Sequence, residues 1–261
     1  MLYQNGKFSQ LNGSDVYGCH SAAIGSFNGV KFSRAAGKPM NLQDAVAFAA
    51  QECGILPSLQ EEGLLRIAQG GVAAKEPGMT RTVALYFMEG GMPWVSFDDY
   101  PAEKENIVCV YADRMSRQQM RTTEFYLPKT DPLVKAALKR AGDSKRALWA
   151  LSSNGRSDFD LARDAERTRF TESAAAKALY GGIVSEVITG IYHRRRSPHI
   201  PHQMTVQLLG ANELRMGADV VDVRLVYLGD ILGQSVEINA TGRSRMKGIA
   251  TPIENPRMFY K

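Results

Sequence analysis

The run Thr82-Val83-Ala84-Leu85-Tyr86-Phe87-Met88 decides how this chain is read as a fold. Its β-branched and aromatic residues favour a pleated strand, and Gly90-Gly91 followed by Pro93 marks a turn after it. Residues 107–111 share that composition, and Pro101 breaks the chain before them. Residues 2–8 supply a further strand. Between these, residues 42–55 place Leu42, Ala45, Val46, Ala49 and Cys53 on one face, which is helical spacing, with Asn41 as N-cap and Gly54 at the far end. Residues 203–209, 220–227 and 235–240 again run apolar or alternate in the manner of strands. Strands with helices between them in this order predict an α+β chain of two ferredoxin-like (RRM-like) lobes. The lobes span residues 1–112 and 173–261, with a basic helical insertion at 113–172.

The insertion is read from its cations, which are spread over largely helical sequence broken by Pro128 and Pro132. Residues 132–141 put Leu133, Ala137, Leu138 and Ala141 on an apolar side and Lys135, Lys139 and Arg140 on a basic one, a shape that can lie along a nucleic-acid backbone. Asp158, Asp160, Asp164 and Glu166 are interleaved with the arginines, so residues 163–169 read as intramolecular ion pairs rather than an RNA surface. A long helix over residues 173–193 then ends in His193-Arg194-Arg195-Arg196. Three arginines there complement the helix dipole, and they also suit a phosphate backbone.

Two short patches carry chemistry. In Asp15-Val16-Tyr17-Gly18-Cys19-His20, a helix begun at Val16 and running to residue 27 would set Tyr17 and His20 on one face. Imidazole can both take and give a proton near neutrality. The plain alternative is a half-buried Tyr and His that pack the first element. In Gly242-Arg243-Ser244-Arg245-Met246-Lys247-Gly248, glycines let the backbone approach a phosphate and the three cations neutralise it, or the run is a solvated basic turn. Lys31, Arg34 and Lys38 occupy the glycine-punctuated stretch between the first patch and the helix at 42–55.

These patches resemble the CRISPR repeat-processing endoribonucleases of the RAMP superfamily. The first is similar to their Leu-Tyr-x-x-His segment and the second to their C-terminal glycine-rich loop, and a divergent type IV branch would accommodate both. The resemblance implies metal-independent cleavage of precursor CRISPR RNA at a repeat hairpin, leaving a 2′,3′-cyclic phosphate and a 5′-hydroxyl. It implies His20, Tyr17 and Arg34 as catalytic residues. Lys38, Arg194, Arg195, Arg196, Arg243, Arg245 and Lys247 would hold the RNA, and other subunits of a CRISPR ribonucleoprotein are candidate partners. Two other functions share the same basic surface: a non-catalytic RNA-binding scaffold subunit, and a phage or plasmid accessory protein that meets DNA.

Composition sets the outer bounds. The chain has 261 residues, 44% hydrophobic, with a net charge of +5 and a sequence pI near 9.1, which tilts toward polyanionic partners. Cys19, Cys53 and Cys109 are far apart and lack metal-ligand spacing, and His199 with His202 has no third ligand beside it, so no metal or other cofactor is expected. No apolar run is long enough to span a bilayer and no signal peptide is read, which predicts a cytoplasmic protein.

Overall fold

The structure is a computed structural model that describes residues 2–4, 7–9, 23–27, 30–33, 57–61, 78–99, 124–143, 146–149, 155–181, 203–214, 216–231, 235–241 and 259–260. Thirteen strands and three α-helices are defined among them. The short strands β1 (Leu2–Gln4), β2 (Lys7–Ser9), β3 (Ala23–Phe27), β4 (Val30–Ser33) and β13 (Phe259–Tyr260) make a five-stranded sheet in the order β13-β4-β3-β1-β2. Here two expectations change. Residues 2–8 do not form one strand, because β1 and β2 pair antiparallel with Gln4 opposite Lys7. Nor do residues 16–27 continue as a helix, because Ala23–Phe27 is a strand running parallel to β1.

The larger sheet has eight strands. Its path is β8-β6-β5-β11-β12-β10-β9, comprising β5 (Gly78–Glu89), β6 (Met92–Asp99), β8 (Ala147–Trp149), β9 (Arg156–Asp160), β10 (Gln203–Gln207), β11 (Val220–Ile231) and β12 (Ser235–Asn239). The eighth strand, β7 (Glu124–Pro128), pairs with β11 off that path. The two-residue turn Gly90-Gly91 joins β5 to β6, both glycines having positive φ (58° and 76°) as a type I′ hairpin requires. Strand β11 is long enough to hold β5 along one side while β7 and then β12 share the other. Residues 220–224 pair with β7 and residues 227–231 with β12. The sheet forks there, with a register irregularity between Leu225 and Tyr227.

This architecture corrects the expectation of two ferredoxin-like lobes around a helical insertion. Strands from 78–99, 124–128, 147–160 and 203–239 hydrogen-bond into one mixed sheet, in which β10–β12 is parallel and the other pairings are antiparallel. The stretch expected to be largely helical contributes three of its strands, β7, β8 and β9.

Both faces of the central strands are covered, which is why 82–88 reads as a nearly continuous apolar run and why the two charges that interrupt 220–227, Asp222 and Arg224, are buried as a pair. On one face Ala84 and Tyr86 of β5 and Val95 and Phe97 of β6 pack with Phe170, Ala176, Leu179 and Tyr180 of the helices α2 (Asp164–Glu172) and α3 (Ala174–Tyr180). The other face receives α1 (Pro132–Asp143), which buries Val134, Ala137 and Ala141 while Lys135 and Lys139 stay exposed. Helix α3 does not run on to residue 193. Gly181, at φ 58°, ends it, and its last carbonyls are taken by side chains: Arg146 donates to Ala178 O and Leu179 O at 2.7 and 2.8 Å, and Gln60 donates to Tyr180 O at 3.1 Å. No helix among the described residues is long and apolar enough to cross a membrane.

Asp98 ties α1 to the sheet. It is 2% exposed, and Arg140 on α1 meets it with two hydrogen bonds of 2.9 and 2.7 Å. Burial pushes the Asp98 carboxyl above the usual carboxylate range, and Arg140 offsets only part of that. A raised folded-state pKa means that the folded protein holds this proton more tightly than the unfolded chain does. The stability that Asp98 contributes is therefore greatest at low pH, and it falls as pH rises from the unfolded value of about 3.9 through the raised folded one. Asp98→Asn removes that slope. The melting temperature of the variant relative to wild type should rise between pH 4 and pH 7, and a difference independent of pH would mean that Asp98 titrates normally.

Candidate functional site

The described surface has a cleft of about 500 Å³ at the β9 end of the large sheet, lined by Arg156, Asp158, Phe159, Asp160, Arg163, Glu166 and Gln203. Strand β9 reads Arg-Ser-Asp-Phe-Asp, and its alternation decides the site. Phe159 points inward, 4% exposed, and meets Phe170 of α2 edge-to-face, with centroids 5.0 Å apart at 84°. Arg156, Asp158 and Asp160 therefore share the opposite side. Gly155, at φ 64°, starts the strand where its carbonyl accepts from Leu208 N at 2.8 Å.

Every charge on the cleft has a partner of opposite sign. The Arg156 guanidinium meets Asp158 through both carboxylate oxygens at 2.8–3.1 Å, and Thr205 Oγ1 donates to Asp158 Oδ1 at 2.6 Å from β10. Arg163 meets Asp160 at 3.1 Å, and Arg169 meets Glu166 at 2.6 Å while its guanidinium lies 4.4 Å over the Phe159 ring. Arg167 pairs with Asp164 one turn earlier on α2. The cations of 163–169 are thus paired within the fold, as the interleaved acids indicate. Hydrogen bonds from Arg169 hold the Glu166 carboxyl below its usual range, so the Glu166–Arg169 pair persists into mild acid.

The fork in the sheet is the second polar centre. Asp222 and Arg224, 2% and 4% exposed, lie two apart on β11 and form a bidentate pair with a shortest contact of 2.7 Å. Arg224 also donates to Thr241 O at 2.5 Å, while Tyr86 Oη donates to Ala240 O at 3.0 Å and accepts from Leu209 N at 3.1 Å. These bonds fix the chain end of β12 at Thr241, one residue before the glycine-flanked cationic run. The strand predicted at 235–240 and the break after it are found there.

Tyr17, His20, Arg34, Lys38, Arg194, Arg195, Arg196, Arg243, Arg245 and Lys247 all lie outside the described residues, as do His199, His202 and the helix at 42–55. Among the described residues, no group of three or more His, Cys, Asp or Glu is placed to hold a metal ion.

No family model matches the chain. No curated protein matches it either. A solved structure described as "Accommodation of massive sequence variation in Nanoarchaeota by the C-type lectin fold" is similar over 87% of this chain and 97% of its own, with a TM-score of 0.52 at 14% identity. The likeness is one of fold, and it replaces the two ferredoxin-like lobes with a C-type lectin-like arrangement.

Proposed function

We propose that the chain is a recognition module that binds a hydroxyl-rich ligand, a polyol or saccharide, in the cleft between β9, β10 and α2. The observation that carries the reading is the alternation of planar donors and acceptors along it: Arg156, Arg163 and the Gln203 amide beside Asp158, Asp160 and Glu166. Each hydroxyl of a vicinal diol both donates and accepts, so it fits between a guanidinium and a carboxylate and leaves neither charge uncompensated. Its volume is within the usual range for small-molecule sites, about 300–1,000 Å³. A phosphodiester fits less well, because two arginines face three carboxylates. The similar Nanoarchaeota protein is described as a C-type lectin fold that accommodates massive sequence variation, which supports a rigid sheet carrying an exchangeable recognition surface.

The test is binding to an immobilised saccharide panel, read for wild type and for Asp158→Asn. That substitution keeps the shape but removes the charge, and it should weaken any saccharide bound here by about tenfold or more, the cost of losing hydrogen bonds to a charged group. Equal binding by both would place the ligand elsewhere.

A second reading is favoured by the anchoring of Thr241, which gives the Gly242–Gly248 run a fixed root. On this reading Arg243, Arg245 and Lys247 meet the phosphate of an RNA hairpin, with His20 as proton-transfer group, Tyr17 orienting or assisting it, and Arg34 as a further catalytic residue. It retains the endoribonuclease function while losing the two-lobed frame. Incubating hairpin RNA with the protein in EDTA separates the two: cleavage abolished by His20→Ala supports the nuclease, and intact RNA supports the recognition module.

A further inference from the structure

We infer that Glu166 and Arg169 of α2 form a built-in guard that stands in for a neighbouring strand along β9 and excludes a second copy of this chain from adding to that edge. The hydrogen-bond alternation of the β9–β10 ladder carries the argument. Gly155 O accepts from Leu208 N at 2.8 Å, so residues 155, 157 and 159 turn their main-chain groups toward β10, and 156, 158 and 160 turn theirs outward. The Thr205–Asp158 side-chain bond fits this assignment, since side chains approach most closely in the pairs that lack main-chain bonds.

One of the outward groups is occupied by a member of an ion pair. The Arg169 guanidinium donates to Asp158 O, and the Glu166 carboxylate holds that guanidinium through both of its oxygens. Glu166 and Arg169, a turn apart and bonded to each other at 2.6 Å, thereby offer a fixed donor to the edge, as the next strand would. The excluded occupant is identified by register. An antiparallel pairing of two β9 strands centred on Ser157 sets Arg156 of each copy opposite Asp158 of the other, two cross-strand pairs of opposite charge. That pairing needs the Asp158 carbonyl, which Arg169 holds.

The inference does not depend on what the cleft binds, and its readout is mass rather than ligand. Light scattering of the Glu166→Ala/Arg169→Ala variant should show a dimer at a concentration where wild type is monomeric, and adding Arg156→Glu should dissolve it by setting Glu against Asp158. A variant that stays monomeric, or a dimer that survives Arg156→Glu, overturns the guard. Should the double variant not fold, light scattering of two single variants decides. Arg169→Ala, which frees the Asp158 carbonyl, should dimerise, while Arg169→Lys, which keeps a donor for that carbonyl, should stay monomeric. Equal masses for the two variants overturn the inference.

Discussion

Gly155→Ala is expected to destabilise the protein by about 4 kcal/mol, from left-handed strain and overpacking that cost about 1–3 kcal/mol each. The residue sits at φ 64°, where a side chain is strained whatever the surroundings, and a Cβ there would lie 2.1 Å from Leu208 O and 2.8 Å from Gly210 N. Those neighbours are backbone and cannot swing aside. They also belong to the segment that sets the β9–β10 register, so relieving the clash moves the strand whose outward side forms the cleft. For a chain of this size the loss corresponds to a fall in melting temperature of about 12 °C. Gly91→Ala is the matched comparison: φ is 76°, yet nothing lies within 4 Å of the added Cβ, so only the backbone term of about 1–2 kcal/mol applies. Thermal unfolding followed by circular dichroism measures both, and equal losses would show that contact with Leu208 does not decide the cost.

Asp222→Ala is expected to cost about 3–5 kcal/mol, because it strands the buried Arg224 guanidinium without its carboxylate. Alanine offers the guanidinium no acceptor in its place. The pair lies beneath the fork, where β11 pairs with β5 and β7 and Arg224 reaches across to Thr241 O. Removing both charges together, as Asp222→Leu with Arg224→Met, should recover most of the loss, since an apolar pair of similar volume avoids the desolvation cost of two ions. Urea unfolding of the three proteins gives the comparison. A double variant no more stable than Asp222→Ala would mean that the bond to Thr241, rather than the ion pair, holds the end of β12.

Sequence patterning was most informative where the environment is uniform. Residues 82–88 became β5 because a strand covered on both faces is apolar almost throughout, and residues 203–209, 220–227 and 235–240 became β10, β11 and β12 from apolar runs or alternation. Helix α1 was legible from the stripe that places Ala137 and Ala141 against the sheet. Strand β9 was not legible. It is an edge strand with three charges in five residues, and nothing in Arg-Ser-Asp-Phe-Asp distinguishes it from a solvated loop until Phe159 finds Phe170. Partnership was equally hidden. A run of twelve strand residues at Val220–Ile231 does not say that β7 and β12 will share one side of it, and that sharing is what turns two supposed lobes into one sheet. The helix expected over 173–193 was overextended because the pattern of apolar positions continues past Gly181, whose positive φ stops the helix. The interleaved acids at 158–166 did announce their ion pairs, but not that these pairs would line a cleft.

Binding of the saccharide panel by wild type and by the Arg156→Ala/Asp158→Asn variant tests the central claim most directly. The account predicts saturable binding of at least one saccharide by wild type, lost in the variant while its melting temperature stays close to the parent, because both side chains are exposed. Saccharide binding that is unchanged in the variant, or none by the folded wild-type protein, would contradict it.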